Sequence, residues 1–227
     1  MNLLPTETRE GFFVPKNLPD SDGEGSGDFQ EIVNGFLNAP GLPFSNVLTA
    51  ERIRNVFARP GGLFGEHGIY STVVVLWAFL SQVLREGKEA ACQSAVAQIT
   101  AHCIQTVIDP PTKDTGDYCK GRAKLPEAAL HELTCEVAAE TEQQANEEWR
   151  WMKRHTKLVD GFTFTMPATE ENLAAFPHPR TQTKGVGLPI ARAVAILSLS
   201  TATVLDAAIG PYRGKETGES SSGSCSM

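Results

Sequence analysis

The stretch Lys157-Leu-Val-Asp-Gly-Phe-Thr-Phe-Thr-Met166 constrains the fold most, because it sets an acid inside a β-strand. Leu158, Asp160, Phe162, Phe164 and Met166 alternate with Val159, Gly161, Thr163 and Thr165, the period-2 pattern of a strand rich in aromatic and β-branched residues. Asp160 therefore shares a face with Phe162 and Phe164, and the strand reads as buried. An ionised carboxylate on an apolar face is costly unless something pairs it, and a divalent cation is the strongest partner. Gly161 beside it lets a ligand approach the backbone closely. Asp160 is thus a candidate metal ligand or nucleophile; the other reading is an acid that caps the strand and faces water where the sheet begins.

With 227 residues, 41% of them hydrophobic, the chain can bury one large core or two small ones. The apolar run from Tyr70 to Leu84 is too short for a membrane span and is broken by Ser81 and Gln82. Residues Met1 to Pro15 show no basic stretch followed by an apolar one, so no secretory signal is expected and the chain is assigned to the cytoplasm. The five cysteines, Cys92, Cys103, Cys119, Cys135 and Cys225, are spaced too widely for a metal knuckle and are expected to be reduced, with Cys92, Cys103 and Cys135 as small helix-core residues. His131, His155 and His178 show no ligand spacing. A net charge of −7 argues against nucleic-acid binding over the whole surface, though not against a local basic patch.

Residues 1–28 form an acidic, glycine-rich arm whose composition cannot offset its chain entropy. Helical spacing begins with Phe29, Ile32, Val33 and Phe36, and Thr49 can cap a helix carrying Ile53, Val56 and Phe57. Ser71 or Thr72 caps a third helix through Val75, Leu76, Phe79, Leu80 and Val83, stopped near Gly87. The segment Lys88 to Ile108, with Ala91, Ala95, Ile99, Cys103 and Val107 in one stripe, completes a helical hairpin across a single tight turn. A loop then opens onto Tyr118-Cys-Lys-Gly-Arg-Ala-Lys-Leu-Pro126, the locally basic part of the chain. Lys120, Arg122 and Lys124 near Tyr118 suit either a grip on a nucleic-acid backbone or a solvated loop.

Pro126 suits the first turn of a helix through Leu130, Leu133 and Val137 and on towards Trp149, with Trp149 and Trp151 packed where it meets the Asp160 strand. After that strand, 167–184 reads as a polar loop. Ile190 to Ser200 and Val204 to Ile209 then read as a mostly buried β-hairpin, giving an antiparallel sheet that grows from the Asp160 strand.

Several strings together resemble the N-terminal half of bacterial insertion-sequence-four family transposases. They are Leu76-Trp-Ala-Phe-Leu-Ser-Gln-Val-Leu84, Tyr118-Cys-Lys-Gly-Arg-Ala-Lys-Leu-Pro126, Leu158-Val-Asp-Gly-Phe-Thr-Phe-Thr-Met-Pro167, Gly187-Leu-Pro-Ile-Ala-Arg-Ala-Val-Ala-Ile-Leu-Ser-Leu199 and Val204-Leu-Asp-Ala-Ala-Ile-Gly-Pro-Tyr-Arg-Gly-Lys-Glu-Thr-Gly-Glu219. The resemblance implies an α+β chain: a helical DNA-binding region over 29–155, then an incomplete ribonuclease-H-like sheet of three strands over 156–219, and a non-family tail over 220–227. In that family three carboxylates, Asp-Asp-Glu, hold two Mg²⁺ ions about 4 Å apart for in-line attack at a phosphodiester. Asp160 matches the first of them, and the resemblance implies catalytic and metal-binding roles for it. It also implies DNA contacts by Lys120, Arg122 and Lys124, with transposon terminal repeats as the DNA partner and a full-length transposase or a second copy as a protein partner.

The chain departs from the family pattern at Ala168, where Asp is common, and at Gly121, where Ala is common. Nothing after Asp160 matches the strand of the second Asp or the helix of the Glu, and Asp206 lies too near, in the hairpin itself. The resemblance therefore implies a product cut short after Glu219, with one carboxylate, no tight hold on Mg²⁺ and no transposition by itself. The alternative is a non-catalytic DNA-binding or regulatory fragment acting at transposon ends. A phosphotransferring hydrolase of the haloacid-dehalogenase kind, suggested by Leu-Val-Asp-Gly-Phe-Thr, lacks its second Asp because Phe162 stands there. A sheet of so few strands is expected to leave the Val204 strand or its neighbour with an unpaired edge and an uncovered apolar face.

Overall fold

Side-chain caps start the helices that organise the first part of the chain. Thr49 Oγ1 accepts a hydrogen bond from Arg52 N at 3.3 Å to open α2 (Ala50–Ala58), and Ser71 Oγ accepts from Val74 N at 3.5 Å to open α3 (Thr72–Val83). These follow α1 (Phe29–Leu37), the first element of a computed structural model that describes residues 29–178 and 187–212. The arm expected over 1–28 and the tail over 220–227 lie outside those residues. The described residues are α+β, with seven α-helices and one three-stranded antiparallel sheet, and fall into two compact units that divide after Leu130.

In the first unit α3 is the centre. Val75, Leu76, Ala78 and Ser81 are wholly buried, and the helix packs against α2, α4 (Cys92–Gln105) and α5 (Gly116–Arg122). A helix apolar on every side can be soluble only when wrapped in this way. The loop before it is clipped on by Thr72, whose Oγ1 accepts from Phe64 N at 2.8 Å and donates to Phe64 O at 3.2 Å. Trp77 Nε1 donates to Leu48 O at 2.8 Å, so the largest ring of the helix is buried with its polar atom satisfied.

Three expectations change here. The hairpin does not close in one tight turn: Gly87, at φ +57°, leads a 3₁₀ turn over Gly87–Ala90, and α4 starts at Cys92 rather than Lys88. Ala95, Ile99 and Cys103 of the expected stripe are buried, but Val107 lies past the helix end at φ 58° and is exposed. The basic stretch is not a loop: most of it is α5, anchored by Tyr118, which is fully buried. Burial of one aromatic ring outweighs the Gly121 that a helix ordinarily avoids.

The second unit is built on α6 (Glu127–Gln143), whose first turn lies before the division, and on β1 (Lys157–Thr165), β2 (Ile190–Ser198) and β3 (Val204–Pro211) in the order β1-β2-β3. The hairpin and the antiparallel sheet expected from the sequence are present. Pairing runs from Lys157↔Ser198 to Thr165↔Ile190 between β1 and β2. Between β2 and β3 it slips, Ile196 facing Asp206 and Leu197 facing Val204, so that Leu205 is the extra residue of a bulge. Burial falls on the central strand: Ala191, Ala193, Val194 and Ser198 are buried.

Nearly every residue of β1, by contrast, is exposed, including Leu158, Val159 and Phe162. The alternation correctly signals a strand, but β1 is an edge of the sheet among the described residues, so the expected burial is corrected. The exposure expected at the Val204 strand is found in β3, where Val204 and Ile209 lie open although the sequence predicts a mostly buried hairpin, and β1 adds Leu158 and Phe162 on one face and Val159 on the other. α6 ends at Gln143, short of Trp149, and Trp149 and Trp151 are 46% and 60% exposed rather than packed at the junction. A tight turn intervenes, with Met152 and Lys153 at φ 50° and 63° and Arg154 N donating to Trp151 O at 2.9 Å. The polar loop after β1 contains α7 (Glu170–Ala175), started by Thr169 Oγ1 accepting from Asn172 N at 3.2 Å.

Gly121 lets α5 lie close to α3, since a Cβ there would sit 3.0 Å from Val75 Cγ2, and Val75 is wholly buried and cannot swing aside. The substitution Gly121→Ala gains about 1 kcal/mol of helix propensity but meets an overpacking cost of about 1–3 kcal/mol. A net destabilisation of about 1 kcal/mol is expected in urea denaturation; an unchanged or higher midpoint would show that α3 and α5 yield.

Candidate nucleic-acid interface and strand acid

The three cations expected to contact nucleic acid sit in different settings. Arg122 is half-buried: its Nη1 donates to Gln82 Oε1 at 3.2 Å, and its guanidinium lies 5.9 Å from the Tyr118 ring centroid. Lys120 is exposed and pairs with Asp117 at 3.4 Å; Lys124, also exposed, has its ammonium 5.8 Å from the Phe64 ring centroid. Two lysines therefore face solvent from α5 and the residues just after it, whereas Arg122 is structural. Tyr118 is unable to stack on a base, because its ring is buried and its hydroxyl donates to Gln82 Oε1 at 2.6 Å inside the core.

Asp160 lies within β1 with its side chain exposed, and its Oδ1 accepts from Gly161 N at 2.8 Å. Directly paired residues share a sheet face. Asp160 faces Ala195, which faces Ala207, whereas Asp206 faces Ile196, which faces Val159. The two acids are thus two strands apart on opposite faces and do not converge. A two-metal centre needs carboxylates from several elements aimed at one point. Among the described residues Asp160 belongs to no such group. The Mg²⁺ implied by the resemblance does not fit there, and no strand cleavage is ascribed to these residues.

What the sequence concealed is a cluster elsewhere. His131 and Cys135, one turn apart on α6, meet Asp206 of β3; their donor atoms lie within 4.8 Å of one another, and His131 Nε2 is 2.7 Å from Asp206 Oδ1. The spacing His-x-x-x-Cys on one helix face is the one local signal, but Asp206 joins it only through the fold. The bulge at Leu205 sits next to this acid, and Ala207 N donates to the same Oδ1 at 2.8 Å. Nitrogen, sulfur and oxygen donors suit Zn²⁺ far better than Mg²⁺. Cys135, however, is disulfide-bonded, which corrects the expectation of a reduced thiol and removes the thiolate that a metal would need. His131 and Asp206 therefore act as an anchor between α6 and the sheet. Glu142, eleven positions along the same helix, supplies a second by accepting from the Ser198 hydroxyl and pairing with His155 Nδ1 at 3.3 Å.

Comparison with models of known families, with curated proteins and with solved structures gives no match. No helix among the described residues is long and apolar enough to cross a membrane.

Burial pushes the Tyr118 phenol up to about 12, against the lowering influence of Arg122. A folded-state pKa above the unfolded value of about 10 means that the fold favours the neutral phenol, so this contribution is whole below pH 10 and is lost as pH climbs towards 12. Stability of the first unit should fall through that window, and Tyr118→Phe should flatten the fall. Equal alkaline losses in both proteins, measured by denaturant titration at successive pH values, would contradict this.

Proposed function

We propose that this chain is a cytoplasmic DNA-binding protein related to insertion-sequence-four transposases, one that engages transposon ends without cutting them. One observation favours binding over cleavage: Asp160, the acid matched to the family's first carboxylate, stands on an exposed strand with no converging acids among the described residues, while Lys120 and Lys124 are presented to solvent beside the half-buried Arg122. The motifs behind the resemblance fall on α3, α5 and the three strands, so the reading draws on separate elements. The residues Arg213 to Glu219 that complete the last motif lie outside the described ones. Partners under this reading are duplex DNA carrying terminal repeats and a full-length transposase or second copy of the chain.

The mechanism is backbone neutralisation. A protein of net charge −7 repels DNA at long range, so the local lysines must meet phosphates at close range and their hold must weaken as salt rises. Fluorescence anisotropy with a terminal-repeat duplex and a scrambled duplex tests the proposal. Binding at low salt is expected, and Lys120→Ala with Lys124→Ala should lower the log–log salt slope by about 2, at about 0.9 for each phosphate that a lysine neutralises. Absence of binding to either duplex at low salt would sink the proposal. Nicking of the repeats in Mg²⁺, abolished by Asp160→Ala, would replace it with a catalytic reading.

A further inference from the structure

Cys92 opens α4 and Cys119 lies within α5, twenty-seven positions apart, yet their Sγ atoms are 3.6 Å from one another. Both are free thiols and both are partly accessible to solvent, unlike Cys103, which is buried. Their surroundings are polar: Gln82 Nε2 lies 3.8 Å and Arg122 Nη1 4.0 Å from Cys92 Sγ. Cys92 also occupies the first position of a fourteen-residue helix whose N-cap, Ala91, offers no side-chain acceptor. Cys119 Sγ–H can donate to Cys92 Sγ, and this contact is the foremost cause that raises the Cys119 pKa. The two sulfurs thus differ in geometry: Cys92 Sγ accepts and Cys119 Sγ–H donates, so Cys119 is the one to hold its proton until the second step.

We infer that Cys92 and Cys119 form a redox-active dithiol that closes to an intramolecular disulfide when it meets a low-molecular-weight disulfide, covalently joining the start of α4 to α5. In the first step the Cys92 thiolate attacks one sulfur of glutathione disulfide, forming a Cys92–glutathione mixed disulfide and releasing one glutathione thiolate. In the second, Cys119 gives its proton to solvent and its thiolate attacks Cys92 Sγ, releasing the second glutathione. The two cysteines together lose two protons and two electrons, and one glutathione disulfide becomes two glutathione thiols. Small rotations about the Cα–Cβ bonds must carry the sulfurs from 3.6 Å to a bonding distance of about 2.05 Å. Lys120 follows Cys119 directly, so closure would fix the turn that carries it; this consequence, unlike the dithiol chemistry, depends on the DNA-binding proposal.

The test uses the full chain. After incubation with excess glutathione disulfide and acid quenching, non-reducing proteolysis and mass spectrometry should yield one cross-linked species joining the Cys92 and Cys119 peptides, lighter by two hydrogens than their sum and cleaved by dithiothreitol. Cys92→Ser and Cys119→Ser should each abolish the cross-link, and Cys119→Ser should trap glutathione on Cys92. Recovery of both cysteines from the untouched sequence as free thiols, or as two separate glutathione adducts, would overturn the inference. Because the decisive species is sought in the unmodified protein, a variant that fails to fold does not obscure the answer. Failure of DNA binding leaves the result unaffected, and failure of the cross-link leaves the DNA proposal standing.

Discussion

The first unit depends on one buried amide. Gln82 Oε1 accepts from Tyr118 Oη at 2.6 Å and from Arg122 Nη1 at 3.2 Å, while its Nε2 donates to Ala90 O at 2.7 Å. One side chain thus ties α3 to α5 and to the turn before α4. Each of these bonds is worth about 1 kcal/mol net, but leaving a buried partner unmet costs about 1–3 kcal/mol, so removing the amide costs more than the bonds contribute singly. A glutamine at the end of an otherwise apolar helix looks like an interruption in the sequence. In the folded chain it joins helices that are far apart in sequence, because its carbonyl and its amide nitrogen bond to different elements.

The second unit is held by a different device. α6 is short of apolar surface, and its inward residues after the division are Leu133, Ala138 and Ala145 just beyond its end. Its hold on the sheet is supplied at intervals along the helix by His131 with Asp206 and by Glu142 with Ser198, Thr201 and His155. Polar anchors of this kind fix register more than they add stability, since each exacts a desolvation cost. The first unit is therefore organised around an apolar core with a polar knot at Gln82, and the second around a helix positioned by polar contacts at two places.

Much of this is legible in the sequence where the signal is local. Thr49 and Ser71 announce helix starts because a hydroxyl can satisfy amides three residues on, and the strands β1, β2 and β3 follow from alternation and apolar runs. Burial is less legible. Alternation identifies a strand but cannot say whether anything covers its faces, so β1 and its Asp160 read as core and lie at an edge. α5 is hidden because Gly121 and the surrounding charges resemble a loop, and only the pocket beside Gln82, thirty-six positions upstream of Tyr118, makes it a helix. Thr169 is a serviceable cap, obscured by the proline before it and those after it. The contact of His131 with Asp206 spans seventy-five positions and has no local trace.

β1 carries Leu158, Val159 and Phe162 open to solvent, and among the described residues it bonds to a neighbouring strand along one side alone. Among the described residues no strand pairs with its other margin, whose amides and carbonyls are available to water or to another extended chain. Such a margin acts as a template: it lowers the free energy of any strand laid beside it and does so more effectively as concentration rises. In β1 that template is a ribbon nine residues long.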